Sequence, residues 1–342
     1  MSETRSPAPR PDRPHVLVLA SDALIAHFFP GPVLARLGEV ATWSRYAGRE
    51  DGPALRERVA EADALMTTWH SPFLSGGTLG ERPRVRLIAH CGGEVKSRMD
   101  EDVFNSVTVT NAAGPMAEPV AEMALAMVLM MVRRLQHYVL EMRAGLVASN
   151  VEASRGETVR GRTVGVVGFG RVGRAFARLA APLGAELVVF DPYCPEDMVA
   201  AAGARAASLD ELLAGCSVVV LAAGLTAESR GLVDARRLAL IPDGGVLVNV
   251  ARGALIDLDA LVAELRSGRI TAALDVTDPL EPLPRDHELR SLPNAFLTPH
   301  IAAGGVEMRN AIGAVAVEEV VRFFRGEPPR NRVTREMLAT MT

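Results

Sequence analysis

Late in the chain, Arg252, Glu281 and His300 offer the side chains needed to hold an acid group and to move a proton. A guanidinium binds a carboxylate through two parallel hydrogen bonds and polarises a carbonyl beside it. An imidazole backed by a carboxylate delivers a proton near neutral pH. Reduction of a ketone needs both, because hydride addition leaves an alkoxide that must be protonated. Arg252 lies in LVNVARGALID (247–257), just past Asn249. Glu281 lies in AALDVTDPLEPLP (272–284), where Asp275 closes an apolar run, and His300 lies in NAFLTPHIAAGG (294–305). A lone turn arginine is most often a solvated charge, and a lone histidine is most often structural. Three such residues beyond successive strand-like runs point instead to chemistry at one edge of a sheet.

A second constellation precedes this one. The run RTVGVVGFGRVGRAFARLAAPLGAELVVFD (162–191) places Gly168, Gly170 and Gly173 in the spacing G-x-G-x-x-G. A strand-like stretch (164–167) leads in, a helix-like stretch (175–183) leads out, and a second apolar run (187–190) ends on Asp191. The first glycine permits a tight turn, the second lets a pyrophosphate approach the backbone, and the third lets the helix pack closely on the sheet. The helix N-terminus offers N–H groups and partial positive charge to the phosphates. Asp191 is placed to accept hydrogen bonds from the adenosine ribose, and its charge repels a 2′-phosphate, which favours NAD over NADP. Glycines alone also mark ordinary turns. Strand, helix, second strand and terminal acid together make NAD the expected cofactor.

The elements that must position these residues alternate along the chain. Apolar runs at 15–20, 40–43, 64–68, 87–91 and 107–111 are separated by helical patterns, the signature of a parallel sheet with crossover helices. Past Asp191, strands are expected at 217–222, 245–249, 270–274 and 295–297. A long helix is expected from Pro119 to about Gly145, and six of the thirteen methionines fall between Met116 and Met142. So apolar a helix belongs between domains, in a subunit interface, or both. A polar stretch (148–161) separates it from the nucleotide strand. The last helical pattern, 306–324, cannot fold alone and should pack back on the first domain. The expected fold is therefore α/β, with two doubly wound parallel-sheet domains and a cleft between them.

Composition narrows the function. The 342 residues are 49% hydrophobic and 23% charged, as in a soluble globular protein. The longest apolar run, 123–132, is too short to span a membrane. A net charge of −4 argues against a nucleic-acid partner. Residues 1–14 hold four prolines and three arginines and read as a disordered tail without a signal-peptide pattern. Cys91, Cys194 and Cys216 are odd in number and lack metal-ligand spacing, so no metal and a reducing cytoplasm are expected. The chain has 36 arginines and a single lysine, Lys96.

These motifs carry a resemblance. VGVVGFGRVG with Asp191, LTAESRGLV, NVARGALID, ALDV followed by EPLP, LPNAFLTPHIA and the tail RGEPPRNRV occur in the order seen in D-isomer-specific 2-hydroxyacid dehydrogenases. The resemblance covers nearly everything after residue 85. It implies a Rossmann cofactor domain (114–302), a flavodoxin-like substrate domain (15–113 and 303–342), and a homodimer built through the cofactor domains. It implies that Arg252 binds the substrate carboxylate and carbonyl, that His300 is the acid/base, and that Glu281 supports the protonated histidine. Asp275 would contact the nicotinamide amide. Phe169, Arg171, Val172, Leu225, Thr226, Val250, Ala251, His300 and Ala302 would complete the NAD site with the three glycines and Asp191. The Gly92–Gly93 loop would wrap the substrate's acid group with backbone N–H groups. Lys96, the one lysine beside 36 arginines, stands in that loop and is expected to contact the substrate, the alternative being a solvated loop lysine; Trp69 and His70, just beyond the 64–68 run, are expected to shape the same site.

Four departures from the family pattern stand out. The usual His-x-Pro-Leu-Thr after the fourth cofactor strand is replaced by Ala222-Ala223-Gly224-Leu225-Thr226. The loop from Asp275 to Glu281 is one residue longer, which makes Asp278 a rival partner for His300. The tryptophan common after the long helix is absent. Where the substrate loop usually reads Gly-x-Gly-x-Asp-Asn-x-Asp, this chain has Cys91-Gly92-Gly93-Glu94-Val95-Lys96-Ser97-Arg98. The expected activity is interconversion of a D-2-hydroxy acid and its 2-keto acid with NAD, on a small anionic substrate, without nucleic acid or membrane. The alternatives are an NAD-responsive binding protein of the corepressor type, and a phosphite or formate dehydrogenase. Turnover of a 2-keto acid with NADH separates the first from the enzyme; formate-type chemistry has no use for the Glu–His pair.

Overall fold

The computed structural model describes residues 13–145, 156–339 and 341. The expected tail before residue 13 and much of the 148–161 stretch lie outside them. The chain divides into two compact units, with boundaries between Met116 and Ala117 and between Gly304 and Gly305. Each is built on its own sheet, in the α/β class that the alternating runs predict.

In the first unit, β1 (His15–Leu19), β2 (Thr42–Tyr46), β3 (Ala64–Thr67), β4 (Leu87–His90), β5 (Thr108–Asn111) and, from the C-terminal segment, β13 (Arg332–Val333) lie in the order β13-β5-β4-β3-β1-β2. All pairs are parallel except β13 with β5. Every residue of β3 and β4 is buried, as a parallel sheet covered on both faces requires. The helix Val306–Phe324 packs on helices Asp22–Phe28 and Gly31–Val40. It buries Met308, Ile312, Ala316 and Val320 at helical spacing.

The second unit holds β6 (Thr163–Val167), β7 (Glu186–Phe190), β8 (Arg205–Ala206), β9 (Val218–Leu221), β10 (Val246–Asn249), β11 (Thr271–Leu274) and β12 (Ala295–Leu297). Their order is β12-β11-β10-β9-β6-β7-β8, wholly parallel. Chain direction across the sheet reverses between β6 and β9, where doubly wound sheets bind ligands beyond their strand ends. Helices Ala117–Val132 and Arg171–Ala180 cover one face, and Leu212, Leu238 and Leu261 help to cover the other.

Three expectations need correction. The single long helix is two, Ala117–Val132 and Leu135–Arg143, broken at Arg134, whose φ is +54°. The Val132 carbonyl accepts from Glu157 N instead of from the next helical turn. Val40 ends a helix, and the strand expected at 40–43 is instead Thr42–Tyr46, an edge strand with little apolar patterning. The two-residue strands β8 and β13 carry no run that a sequence reading can find. The stretch Gly114–Val132 is long and apolar enough to cross a membrane by length and composition. In the fold, Val120, Ala124, Met127 and Met131 on one face are buried in the core.

Candidate active site

The polar residues singled out in the sequence follow the C-terminal ends of strands in both units. In the second unit, β6 runs into Gly168, whose φ is +94°. A side chain there would collide with the Ala223 backbone, and one at Gly173 would collide with the Gly168 carbonyl. Gly170, by contrast, has no atom within 4 Å on its side-chain side. It is the N-cap of the helix Arg171–Ala180 and leaves the first turn without a side-chain cap. That cradle and bare helix terminus fit a dinucleotide pyrophosphate. Phe169 has its ring in the core, so only its backbone can reach a ligand. Arg171 is exposed and Val172 half-buried.

At the end of β7, Asp191 is half-buried. Its Oδ2 accepts from Phe169 N at 2.6 Å and its Oδ1 from Tyr193 N at 2.8 Å. The glycine loop and the acid that should read the ribose are thus joined, and each oxygen keeps acceptor capacity. After β9, Leu225 and Thr226 sit in a turn closed by reciprocal bonds: Thr226 N to Ser229 Oγ at 2.7 Å, and Ser229 N to Thr226 Oγ1 at 3.2 Å.

The turn after β10 presents Arg252. Asn249, fully buried, shapes it: Oδ1 accepts from Ala251 N at 3.0 Å, and Nδ2 donates to Arg252 O at 2.9 Å. Arg252 Nη1 donates to Ala251 O at 2.7 Å. Val250 and Ala251 are buried, and Arg252 is half-buried. The sequence showed Asn249 only as a polar strand end; that signal, a buried amide closing an apolar run, could have marked it as the support of Arg252.

Asp275 is 1% exposed, and its Oδ1 accepts from Thr298 Oγ1 at 2.5 Å and Ile301 N at 2.9 Å. Its Oδ2 accepts from Ala302 N at 2.8 Å, and its backbone O accepts from His300 N at 2.8 Å. Here the residue that resemblance assigns to the nicotinamide amide anchors the loop carrying His300. His300 has φ +54°, a left-handed backbone that costs a non-glycine residue about 1–2 kcal/mol. The Asp275 bonds hold it there. His300 Nδ1 lies 2.8 Å from Glu281 Oε2, and Glu281 Oε1 accepts from Thr277 N at 3.2 Å. The side chains are 45% and 35% exposed, so the pair is reachable from solvent. Asp278, the rival, faces Arg230 at 3.8 Å.

In the first unit, Trp69 and His70 follow β3, and Gly92, Gly93 and Lys96 follow β4. Trp69 is half-buried, with its ring edge-on to Phe28; His70 is exposed. Gly92 is buried, while Gly93 and Lys96 are half-buried. The Glu94 carboxylate accepts from Ser97 N at 2.9 Å and Ser97 Oγ at 2.6 Å, which fixes the turn around Lys96. Cys91 is buried and its thiol pushed well up by burial, so it is no nucleophile.

Comparison with known proteins agrees with this architecture. Residues 125–302 match the model of the D-isomer specific 2-hydroxyacid dehydrogenase, NAD binding domain. A glyoxylate reductase of Thermococcus onnurineus (strain NA1) is 34% identical, over 83% of this chain and 86% of its own. A D-3-phosphoglycerate dehydrogenase of Mycobacterium leprae (strain TN) is 32% identical, over 89% of this chain and 57% of its own. The solved structure of the TT0316 protein from Thermus thermophilus superposes with a TM-score of 0.76 at 33% identity, covering 94% of this chain and all of that one. With its glycine cradle, its strand-end acid and these relatives, the chain belongs to the D-isomer specific 2-hydroxyacid dehydrogenase family and is an NAD-dependent oxidoreductase.

Proposed function

We propose that this enzyme interconverts a small D-2-hydroxy acid and its 2-keto acid, as a cytoplasmic homodimer. The observation that carries the reading is the His300–Glu281 pair, 2.8 Å apart on a loop anchored by Asp275. NADH, when bound, supplies a hydride for the substrate's carbonyl carbon. Gly168, Gly170, Gly173 and the first turn after them, with Arg171 and Val172, would hold its pyrophosphate, and Asp191 its ribose. Leu225, Thr226, Val250, Ala251, Asp275 and Ala302 would hold the rest. Arg252 orients the substrate carboxylate and polarises the carbonyl. Because Nδ1 of His300 faces Glu281, Nε2 is the atom that gives the proton to the alkoxide. Glu281 stabilises the imidazolium while it waits. The N–H groups of the Gly92–Gly93 loop bind the acid group, Lys96 contacts an anionic group of the substrate, and Trp69 and His70 shape that end.

The test is NADH oxidation against 2-keto acids of graded size, from glyoxylate upward, with phosphorylated members included. Turnover of at least one, giving the D-2-hydroxy acid, is the expected result. NADH binding without turnover of any member, or oxidation of phosphite or formate alone, would sink the reading. Lys96→Ala should raise KM for the best substrate by about tenfold, the scale of one charge-assisted hydrogen bond.

A further inference from the structure

A buried polar group behind the substrate loop has no part in the reaction so far described. His90, the last residue of β4, is 1% exposed. Its Nδ1 lies 2.8 Å from Thr67 Oγ1, and its Nε2 is buried without a hydrogen-bond partner among the described residues. Burial, helped by the charge of Arg98, pushes the imidazole down to about 3, so the ring is neutral at working pH. The Thr67 hydroxyl has no other acceptor among the described residues. Donating to Nδ1 satisfies that hydroxyl and puts the imidazole proton on Nε2. A buried N–H without an acceptor is rare, and one standing beside a ligand loop is best explained by the ligand.

The Nε2 atom faces Gly92. A Cβ at that position would lie 2.5 Å from His90 Nε2 and 2.7 Å from Trp69 Nε1. Phe28 holds the indole edge-on, with ring centroids 5.3 Å apart. Two ring N–H donors therefore border the place where this loop has no side chain. Beside it, Gly92 O accepts from Ala112 N at 2.9 Å and Gly93 O accepts from Asn111 Nδ2 at 2.7 Å. The carbonyls are thereby engaged by the segment that ends β5. The N–H groups of residues 92–96 have no acceptor among the described residues. Successive N–H groups of this kind form an anion-binding concavity.

We propose that His90 and Trp69 form a neutral donor pair that receives an oxygen of the substrate's acid group at Gly92, which makes His90 a specificity-determining residue. The inference rests on the 2-keto acid reading above. Donors without formal charge favour a compact acceptor oxygen and give no hold to a cationic group. The bare Cα of Gly92 lets that oxygen come close, and a larger residue there would shut the donors off.

Oxalate, a planar dianion shaped like a 2-keto acid, is the probe. It is titrated by calorimetry into the NADH-bound enzyme as wild type, His90→Leu, His90→Gln and Gly92→Ala, and KM and kcat are measured with glyoxylate. His90→Leu should weaken oxalate binding and raise KM by about tenfold, the scale of one hydrogen bond lost from a dry site. Glutamine returns an N–H at the Nε2 position and should recover most of the affinity. Gly92→Ala should lose it as leucine does. For His90→Leu and His90→Gln, the kcat value and NADH affinity should stay within about twofold, since the proposed proton transfer uses other residues. Equal oxalate affinity in wild type and His90→Leu overturns the proposal. If oxalate binding depends on His90 but no 2-keto acid is reduced, the donor pair stands and the reaction reading falls. If 2-keto acids are reduced with the same KM in His90→Leu, the reverse holds.

Discussion

At the scale of single residues, the His300–Glu281 bond makes sharp demands. His300→Ala should lower kcat by about 10²–10⁴-fold, the usual contribution of a general acid, with little change in NADH affinity. Steady-state kinetics beside a fluorescence titration of NADH would check this. Glu281→Gln should lower kcat by about tenfold, whereas Asp278→Asn, altering a carboxylate 3.8 Å from Arg230, should leave it unchanged. An effect of the opposite order would mean that the 2.8 Å contact to Glu281 is not the one that acts. Asp191→Ala should narrow the preference for NADH over NADPH by about tenfold in kcat/KM, because it removes a charge that repels the 2′-phosphate. Arg252, His300 and the glycines were legible because their motifs are continuous in sequence and end apolar runs. Asn249 and His90 were not: Asn249 acts by tying the backbone of Ala251 and Arg252, and His90 by meeting the Thr67 hydroxyl on a neighbouring strand, contacts that the residue type alone does not announce.

At the scale of elements, the strands of both sheet centres were legible to within about a residue, since wholly buried parallel strands are apolar runs. The break at Arg134 was invisible. Neither glycine nor proline marks it, and the chain turns there because Glu157 takes the Val132 carbonyl. Strand β4 carries a cost of its own. Its His90 titrates near 3 when folded, against an ordinary value of 6.5. Between those values the unfolded chain binds a proton that the folded chain does not, so stability is lost as pH falls below about 6.5. At pH 5 this single residue should cost about 2 kcal/mol relative to pH 7. Urea midpoints at the two pH values should diverge for the wild type and lie closer together for His90→Gln. An identical loss in both proteins would assign the acid sensitivity elsewhere.

At the scale of the whole molecule, the helix Leu135–Arg143 leaves Leu135, Val139, Leu140 and Met142 exposed, Met142 at 67%. Such a patch supports the proposed dimer. Light scattering at micromolar concentration should give twice the chain mass, and Val139→Asp should give the monomer. The sequence signalled an apolar helix here but put the exposed face in one continuous rod rather than on a second, separately tethered helix. Asn249 shapes the Arg252 turn, its carbonyl accepts from Asp275 N, and Asp275 in turn grips the His300 segment. Arg252 and His300 are therefore heritable as one part, and mutations at 249 or 275 should be epistatic with both. The residues proposed to choose the substrate's acid group lie elsewhere, at the C-terminal ends of β3 and β4. A library seeking a new substrate can vary 69–70 and 90–98 while the proton-transfer machinery is inherited intact.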